Sequence, residues 1–248
     1  MATVEIKIVI PSHLRAKNVI TRDAVDNAII CVPESQKEQY EQYNIGSEIV
    51  THPDSIKGIT MKRQWIYDHF KNVFMIDDDV SSVNRLYTEV GEPSKMKPDE
   101  VYQVIQWMGN VAKLMGCYLF GFNKNGNPAQ YQELRPFQMS GFVNAGAFGL
   151  LEGSKLKYDP EVTVAEDYQI SCENALHHRK CYIDGRFSVV GKDTFMNRGG
   201  LSEYRTKSTE KNDTLWLRKT YGEIIDLKKD TVQSKRKHEY MRTMKPPF

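Results

Sequence analysis

The apolar run Val73-Phe74-Met75-Ile76 ends abruptly in three adjacent carboxylates, Asp77-Asp78-Asp79. A short apolar run without alternation reads as a strand buried on both faces, which requires a sheet covered by helices on either side. The preceding chain supplies such a sheet. Residues 4–10, 28–32 and 48–51 are apolar and strand-like, and the first two stop at Pro11 and Pro33. Proline lacks an N–H, so it suits the end of a strand and not its middle. Between the strands, residues 18–27, 35–43 and 59–70 read as helices. In the last of these, Met61, Trp65, Ile66, His69 and Phe70 fall on one face, the expected inward one. Strands alternating with helices imply a doubly wound, mainly parallel α/β sheet.

The second half is less regular. Residues 98–114 form an amphipathic helix with Val101, Ile105, Met108 and Ala112 inward. The cluster at 123–128 is an exposed turn. The glycine-rich stretch 141–151 reads as a strand with close backbone approaches. Residues 163–178 read as a helix, 181–190 as a hairpin or one bent strand, 193–205 as a loop containing Gly199-Gly200, and 215–221 closes the chain with the tail. No apolar run reaches the roughly 18 residues a membrane helix needs. Residues 1–10 alternate like a strand and do not resemble a signal peptide. Cys31, Cys117, Cys172 and Cys181 show no C-x-x-C spacing, so reduced thiols of a cytoplasmic protein are expected and a zinc site is not. Charge is unevenly spread. From residue 205 onward there are 12 Lys or Arg against 6 Asp or Glu, although the net charge of the whole chain is only +2. A basic tail on an acidic body suits a chain that handles an anionic partner, or one with a solvated end.

Three neighbouring carboxylates repel one another, so a fold keeps them only where positive charge compensates. Helix capping would use one Asp, not three. A hard cation such as Mn²⁺ or Mg²⁺ takes oxygen ligands, few from protein and the rest from phosphate and water. Ligands of open α/β sheets gather beyond the carboxyl ends of the strands, where this triplet falls. If the strand continues, Asp77 and Asp79 share a side and hold the metal, while Asp78 faces a ribose hydroxyl or a basic group. The turn after the first strand, Pro11-Ser12-His13-Leu14-Arg15, has no G-x-G-x-x-G, and no G-x-x-x-x-G-K-[ST] occurs. Cations must therefore do what a glycine-rich loop does elsewhere, and Arg15, Lys57, Lys62 and Arg63 are the candidates.

A second acidic pair, Glu166-Asp167, opens the helix over 163–178. Thr163 as N-cap and Glu166 three residues on match a capping box, which accounts for Glu166 without chemistry. Asp167 is not needed by the box and is a candidate general base, with Glu166 beside it as a second catalytic candidate.

The succession Ile8-Val-Ile-Pro-Ser-His13, Val32-Pro-Glu-Ser35, Lys57-Gly-Ile…Lys62-Arg-Gln-Trp-Ile66, Phe74-Met-Ile-Asp-Asp-Asp79 and Ala165-Glu-Asp167 resembles the TET-associated glycosyltransferases, GT-A-fold enzymes of phages and some eukaryotic proteins. The resemblance spans about residues 6–205. It implies a GT-A-like sheet with a smaller acceptor-binding lobe: residues 1–205 as the glycosyltransferase domain, divided into a nucleotide-binding half (1–80) and an acceptor half (81–205), with 206–248 as a basic helix and tail packed on it. The implied reaction moves a sugar, glucose or arabinose, from a nucleoside diphosphate, UDP above all, to the hydroxymethyl group of 5-hydroxymethylcytosine in DNA. The implied setting is a phage-infected host cytoplasm.

Carried onto this chain, Pro11, Ser12, His13 and Glu34 line the base and ribose pocket, with Arg15, Lys57, Arg63, Asp78 and Gly146 also toward the donor. Asp77 and Asp79 hold the metal. Many GT-A enzymes add a C-terminal histidine ligand, for which this sequence offers only His238. DNA binding falls to Arg205, Lys228, Lys229, Lys235, Arg236 and Lys237, and an aromatic such as Tyr131 or Phe137 is expected to stack where a base is extracted. Three other readings stand beside this one: transfer to a protein or glycan hydroxyl, a nucleotidyltransferase, which needs a glycine-rich signature absent here, and a non-catalytic sugar- or DNA-binding module.

Overall fold

The computed structural model describes residues 3–89, 92, 94–191, 204–231, 235, 236 and 238–245. The first part runs β1 (Lys7–Pro11), β2 (Ala28–Pro33), α1 (Lys37–Tyr43), β3 (Glu48–His52), α2 (Gly58–Phe70), β4 (Val73–Ile76) and β5 (Val80–Arg85). Then follow α3 (Pro98–Leu114), β6 (Leu119–Asn123), β7 (Phe137–Gln138), β8 (Ala147–Leu150), α4 (Glu166–His177), β9 (Tyr182–Gly191), α5 (Lys207–Tyr221), β10 (Ile225–Leu227) and β11 (Arg242–Met244).

Among the described residues, nine strands form one sheet in the order β3-β2-β1-β4-β8-β6-β9-β5, with β7 on β9. The first four strands are mutually parallel, as read from the sequence. Beyond them β8 runs antiparallel between β4 and β6, while β6 and β9 pair in parallel. The chain steps outward from β1 to β3 and returns on the other side of β1 with β4. The reversal leaves a crevice at the carboxyl ends of β1 and β4.

Both faces of the parallel strands are buried, which is why they read as unbroken apolar runs. Ile8, Ile10, Phe74 and Ile76 face α3 through Val101, Ile105 and Met108. Val9, Val73 and Met75 face the opposite layer, with Ile66 and Tyr67 of α2. Gly149 of β8 lies where a Cβ would overlap the Phe120 ring, the close approach expected of the 141–151 stretch.

Three local expectations change. Residues 18–27 form no α-helix. They make two 3₁₀ turns (Ala16–Asn18 and Ile20–Asp23), because Thr21 Oγ1 donates to the Asp77 carbonyl (2.5 Å) and accepts from the Val80 N–H (2.9 Å). The buried face of α2 is Thr60, Lys62, Arg63, Ile66 and Tyr67; of the other expected residues Trp65 and Phe70 pack half-buried against the core, Met61 is half-buried and His69 is exposed. Trp65 also stacks on the exposed His69 at 4.7 Å, and the cations turn inward toward the strand ends. Helix α4 begins at Glu166 after Ala165, with no capping box. Asp213 of α5 meets that turn instead, accepting from the N–H groups of Thr163 (3.1 Å) and Val164 (2.7 Å). Residues 182–191 take the second of the two expected forms, one strand, with a register shift against β6. The helix expected within 206–248 runs from Lys207 to Tyr221 behind a Thr206 cap. Most of the expected loop 193–205, with Gly199-Gly200, lies outside the described residues. No helix of the described residues is long and apolar enough to cross a membrane.

Candidate active site

Because β1 to β4 are parallel, Pro11, Pro33, His52 and the acidic turn after Ile76 arrive at one edge of the sheet. They wall a cleft of about 390 Å³, closed from the side by α2 and by Tyr204 and Arg205. The strand does not continue through the triplet. Residues 77–79 turn, so simple alternation does not hold. Asp77 leans one way, onto Arg63 Nη2 (2.8 Å), and keeps 35 % of its side chain open. Asp78 and Asp79 both turn toward Arg15, at 2.8 and 3.7 Å, and are buried.

A hydrogen-bonded relay fixes the first wall. The Arg15 N–H donates to Tyr40 Oη (3.0 Å), Tyr40 Oη lies 2.8 Å from Ser12 Oγ, and Ser12 Oγ donates to Asp78 (2.5 Å). Tyr40 is fully buried, and burial pushes its phenol up to about 12, so it stays neutral. Lys62 Nζ donates to the Ser12 carbonyl (2.7 Å), and burial draws its ammonium down to about 8.

Arg63, 1 % exposed, is the hinge between the two acidic stations. Its Nη2 serves Asp77 and the Ala145 carbonyl (3.1 Å), its Nη1 lies 3.2 Å from Glu166, and its guanidinium covers the Phe148 ring at 5.1 Å. Such planar, two-sided pairing is what guanidinium does and an ammonium does not. Burial pushes Asp77 up to about 7. Arg63 opposes that rise, while Asp79, Asp78 and Glu166 add to it. Asp167 is also raised to about 7, by burial and by the neighbouring Glu166 carboxylate, although it accepts the Tyr168 N–H at 2.8 Å.

The family model of the TET-Associated Glycosyltransferases matches residues 6–200. This chain belongs to that family. It is therefore a glycosyltransferase, as the five motifs implied. No curated protein sequence matches it. Similar solved structures include CMP:2-keto-3-deoxy-manno-octonic acid synthetase complexed with CTP (14 % identity, 73 % of this chain and 89 % of that one, TM-score 0.39). UDP-glucose pyrophosphorylase complexed with UDP-glucose is another (9 % identity, 87 % and 100 %, TM-score 0.40).

Within the glycosyltransferase the cleft gathers Pro11, Ser12, His13, Arg15, Lys57, Arg63, Asp77, Asp78 and Asp79. Glu34 does not join them; it is exposed while its neighbours Pro33 and Ser35 line the wall, because strand β2 ends there and the chain turns. Gly146 contributes behind the wall, its carbonyl accepting the Asp77 N–H (3.1 Å). Glu166 sits behind Arg63, and neither it nor Asp167 is among the residues that line the cleft. His238 is drawn to Glu210 of α5 (3.9 Å), not to the aspartates, which corrects its reading as a metal ligand.

Arg205, expected on DNA, lines the cleft and is held by Glu210 (3.2 Å) and the Val164 carbonyl (3.3 Å). Lys229, Lys235 and Arg236 are exposed, Lys228 is partly buried, and Lys237 lies outside the described residues. Tyr131 is half-buried and Phe137 is 43 % exposed on β7, with Arg186 over its ring.

The sequence reading missed His52, Gln36, Asp54 and Glu210. His52 was recoverable, since it ends β3 as Pro33 ends β2. It is buried, its Nδ1 donates to the Pro53 carbonyl (3.0 Å), and burial holds it down near 4, so it is neutral. Gln36 orders the opposite rim, pairing with His13 Nδ1 (3.0 Å) and accepting the Leu14 N–H (2.9 Å).

Among the described residues no group of three His, Cys, Asp or Glu side chains could enclose a metal. A small hard cation needs fewer. One or two carboxylates with substrate phosphate and water complete its shell. Asp77 and Asp79 offer oxygen alone, and Asp77 is partly open to the cleft, so the residues present fit Mg²⁺ or Mn²⁺.

Proposed function

We propose that this TET-associated glycosyltransferase moves a sugar from a UDP-linked donor to the hydroxymethyl group of 5-hydroxymethylcytosine in DNA, with Mn²⁺ or Mg²⁺ held by Asp77 and Asp79. The observation that carries this reading is the open edge of Asp77 in a cleft that also presents Arg15, Lys57, Lys62 and Arg205. Carboxylates for a metal and cations for an anion face one space of nucleotide size. The rim from Pro11 to His13, with Gln36 and His52, receives the nucleoside, and the diphosphate lies toward the cations. When bound, the metal neutralises charge on the departing diphosphate.

The chemistry follows from the donor's geometry. The acceptor oxygen attacks the anomeric carbon as the carbon–oxygen bond to the diphosphate breaks, and the nucleoside diphosphate leaves. Asp167 accepts the hydroxyl proton from the side opposite the leaving group, which inverts the anomeric centre. Glu166 holds Arg63 in place and does not touch the proton. Glucose and arabinose are the donor sugars to test first, on duplex and single-stranded DNA.

The test is donor binding by titration calorimetry with and without Mn²⁺. The parent enzyme binds UDP-sugar far more tightly with the ion, and Asp79→Ala loses that gain. Unchanged metal-dependent affinity in Asp79→Ala would refute the metal assignment.

A further inference from the structure

Helix α5 sorts its charges by face. Its two carboxylates, Glu210 and Asp213, are buried: Glu210 clamps Arg205 and Arg242, and Asp213 accepts the Thr163 and Val164 N–H groups. Its cations do the reverse. Lys207, Lys211, Arg218 and Lys219 are all exposed, and at 3.6 residues per turn they share an arc of about 120°. None of the four pairs with a carboxylate among the described residues, and no carboxylate of α5 interrupts them. Leu215, 55 % exposed, lies within the same stripe.

A merely solvated helix face mixes signs, because i,i+4 pairs of opposite charge stabilise it and like charges at that spacing destabilise it. Lys207 and Lys211 are such a like-charged pair. The stripe also has a direction. It starts beside Arg205 in the cleft wall, and the helix then crosses α4, reaching Glu173 through Tyr221 Oη (2.6 Å). From Lys207 to Lys219 it covers about 18 Å, the span of about five phosphates on one strand.

We infer that the outer face of α5 is the track for the acceptor's phosphate backbone, leading the strand that carries the target base to the cleft mouth at Arg205. The inference rests on the DNA-directed reading above and names the surface which that reading leaves open. The lysines of residues 228–236 are then accessory. Charge, not base sequence, makes this contact, so it positions the strand without reading it.

The experiment measures affinity for a 5-hydroxymethylcytosine-containing duplex oligonucleotide across a salt series. It compares the parent, the quadruple variant Lys207→Gln, Lys211→Gln, Arg218→Gln, Lys219→Gln, and a control of equal charge change, Lys37→Gln, Lys71→Gln, Lys95→Gln, Lys113→Gln. Each phosphate neutralised contributes about 0.9 to the slope of log K against log salt. The α5 variant should lose about 3 to 4 from that slope, with an unchanged thermal midpoint, while the control loses less than one. A loss below two in the α5 variant, or an equal loss in the control, overturns the inference alone. A flat parent slope, whether or not the parent binds phosphatidylserine vesicles, overturns the DNA-directed reading and this inference with it.

Discussion

The two acidic stations of this enzyme, Asp77-Asp78-Asp79 and Glu166-Asp167, are alike in sequence and unlike in structure. Each closes or opens a regular element, and each is joined to Arg63. The first opens on the cleft, with Asp77 a third exposed. In the second, Glu166 is turned away behind the guanidinium and is 2 % exposed, while Asp167 beside it is half-buried. Adjacent carboxylates therefore do not announce one kind of chemistry. What distinguishes them is which side of a buried cation they occupy, and whether room for a ligand remains there.

Breaking the shared cation should have the largest effect. Arg63→Met leaves Asp77 and Glu166 without their partner inside the protein, a loss of about 3–5 kcal/mol for an uncompensated buried charge. Urea unfolding should report it, and Arg63→Lys should recover only part, since an ammonium cannot bridge both carboxylates as the fork does. Parent-like stability in Arg63→Met would mean that the two stations are independent.

Separating the stations by function comes next. Asp167→Asn should lower kcat by about 10²–10⁴, the usual worth of a positioned base, while donor KM moves only a few-fold. Because Asp167 is raised to about 7, it is protonated below that pH and cannot accept the hydroxyl proton. The parent's kcat should thus rise as pH passes upward through about 7, and that limb should vanish in Asp167→Asn. A pH-independent parent rate between 6 and 8 (roughly one unit either side) would remove the base from the mechanism.

The smallest effect sharpens the boundary of the first station. Glu34 lies on the motif but outside the cleft, so Glu34→Ala should change donor affinity by less than about 0.5 kcal/mol, the range of ordinary surface substitutions. A ten-fold loss would place it on the ligand after all.

The comparison also marks how far the residues could be read in order. Parallel strands, their proline and aspartate endings, and the inward face of α3 were legible because each depends on neighbours within a few positions. The face of α2 was not legible. Hydrophobicity favours Trp65 and Phe70 inward, but Asp77 and Glu166 need Arg63 on that side, and the Ser12 carbonyl takes Lys62. The capping box at Thr163 failed for a similar reason, since Asp213, 50 positions later, takes the Thr163 N–H that the Glu166 side chain would have accepted. His238 lies away from the aspartates because Glu210 draws it, and the same carboxylate holds Arg205 in the cleft wall.

By itself the sequence determined the layered α/β sheet, the strand-end acids and, through five ordered motifs, the family. Tertiary structure alone decided which acids face the cleft, which cations answer them and where the basic face of α5 points. The reason is electrostatic and steric together. A charge buried in a fold needs a partner, as Ser12 finds Asp78 at a separation of 66 residues, and nothing local to either residue specifies the other.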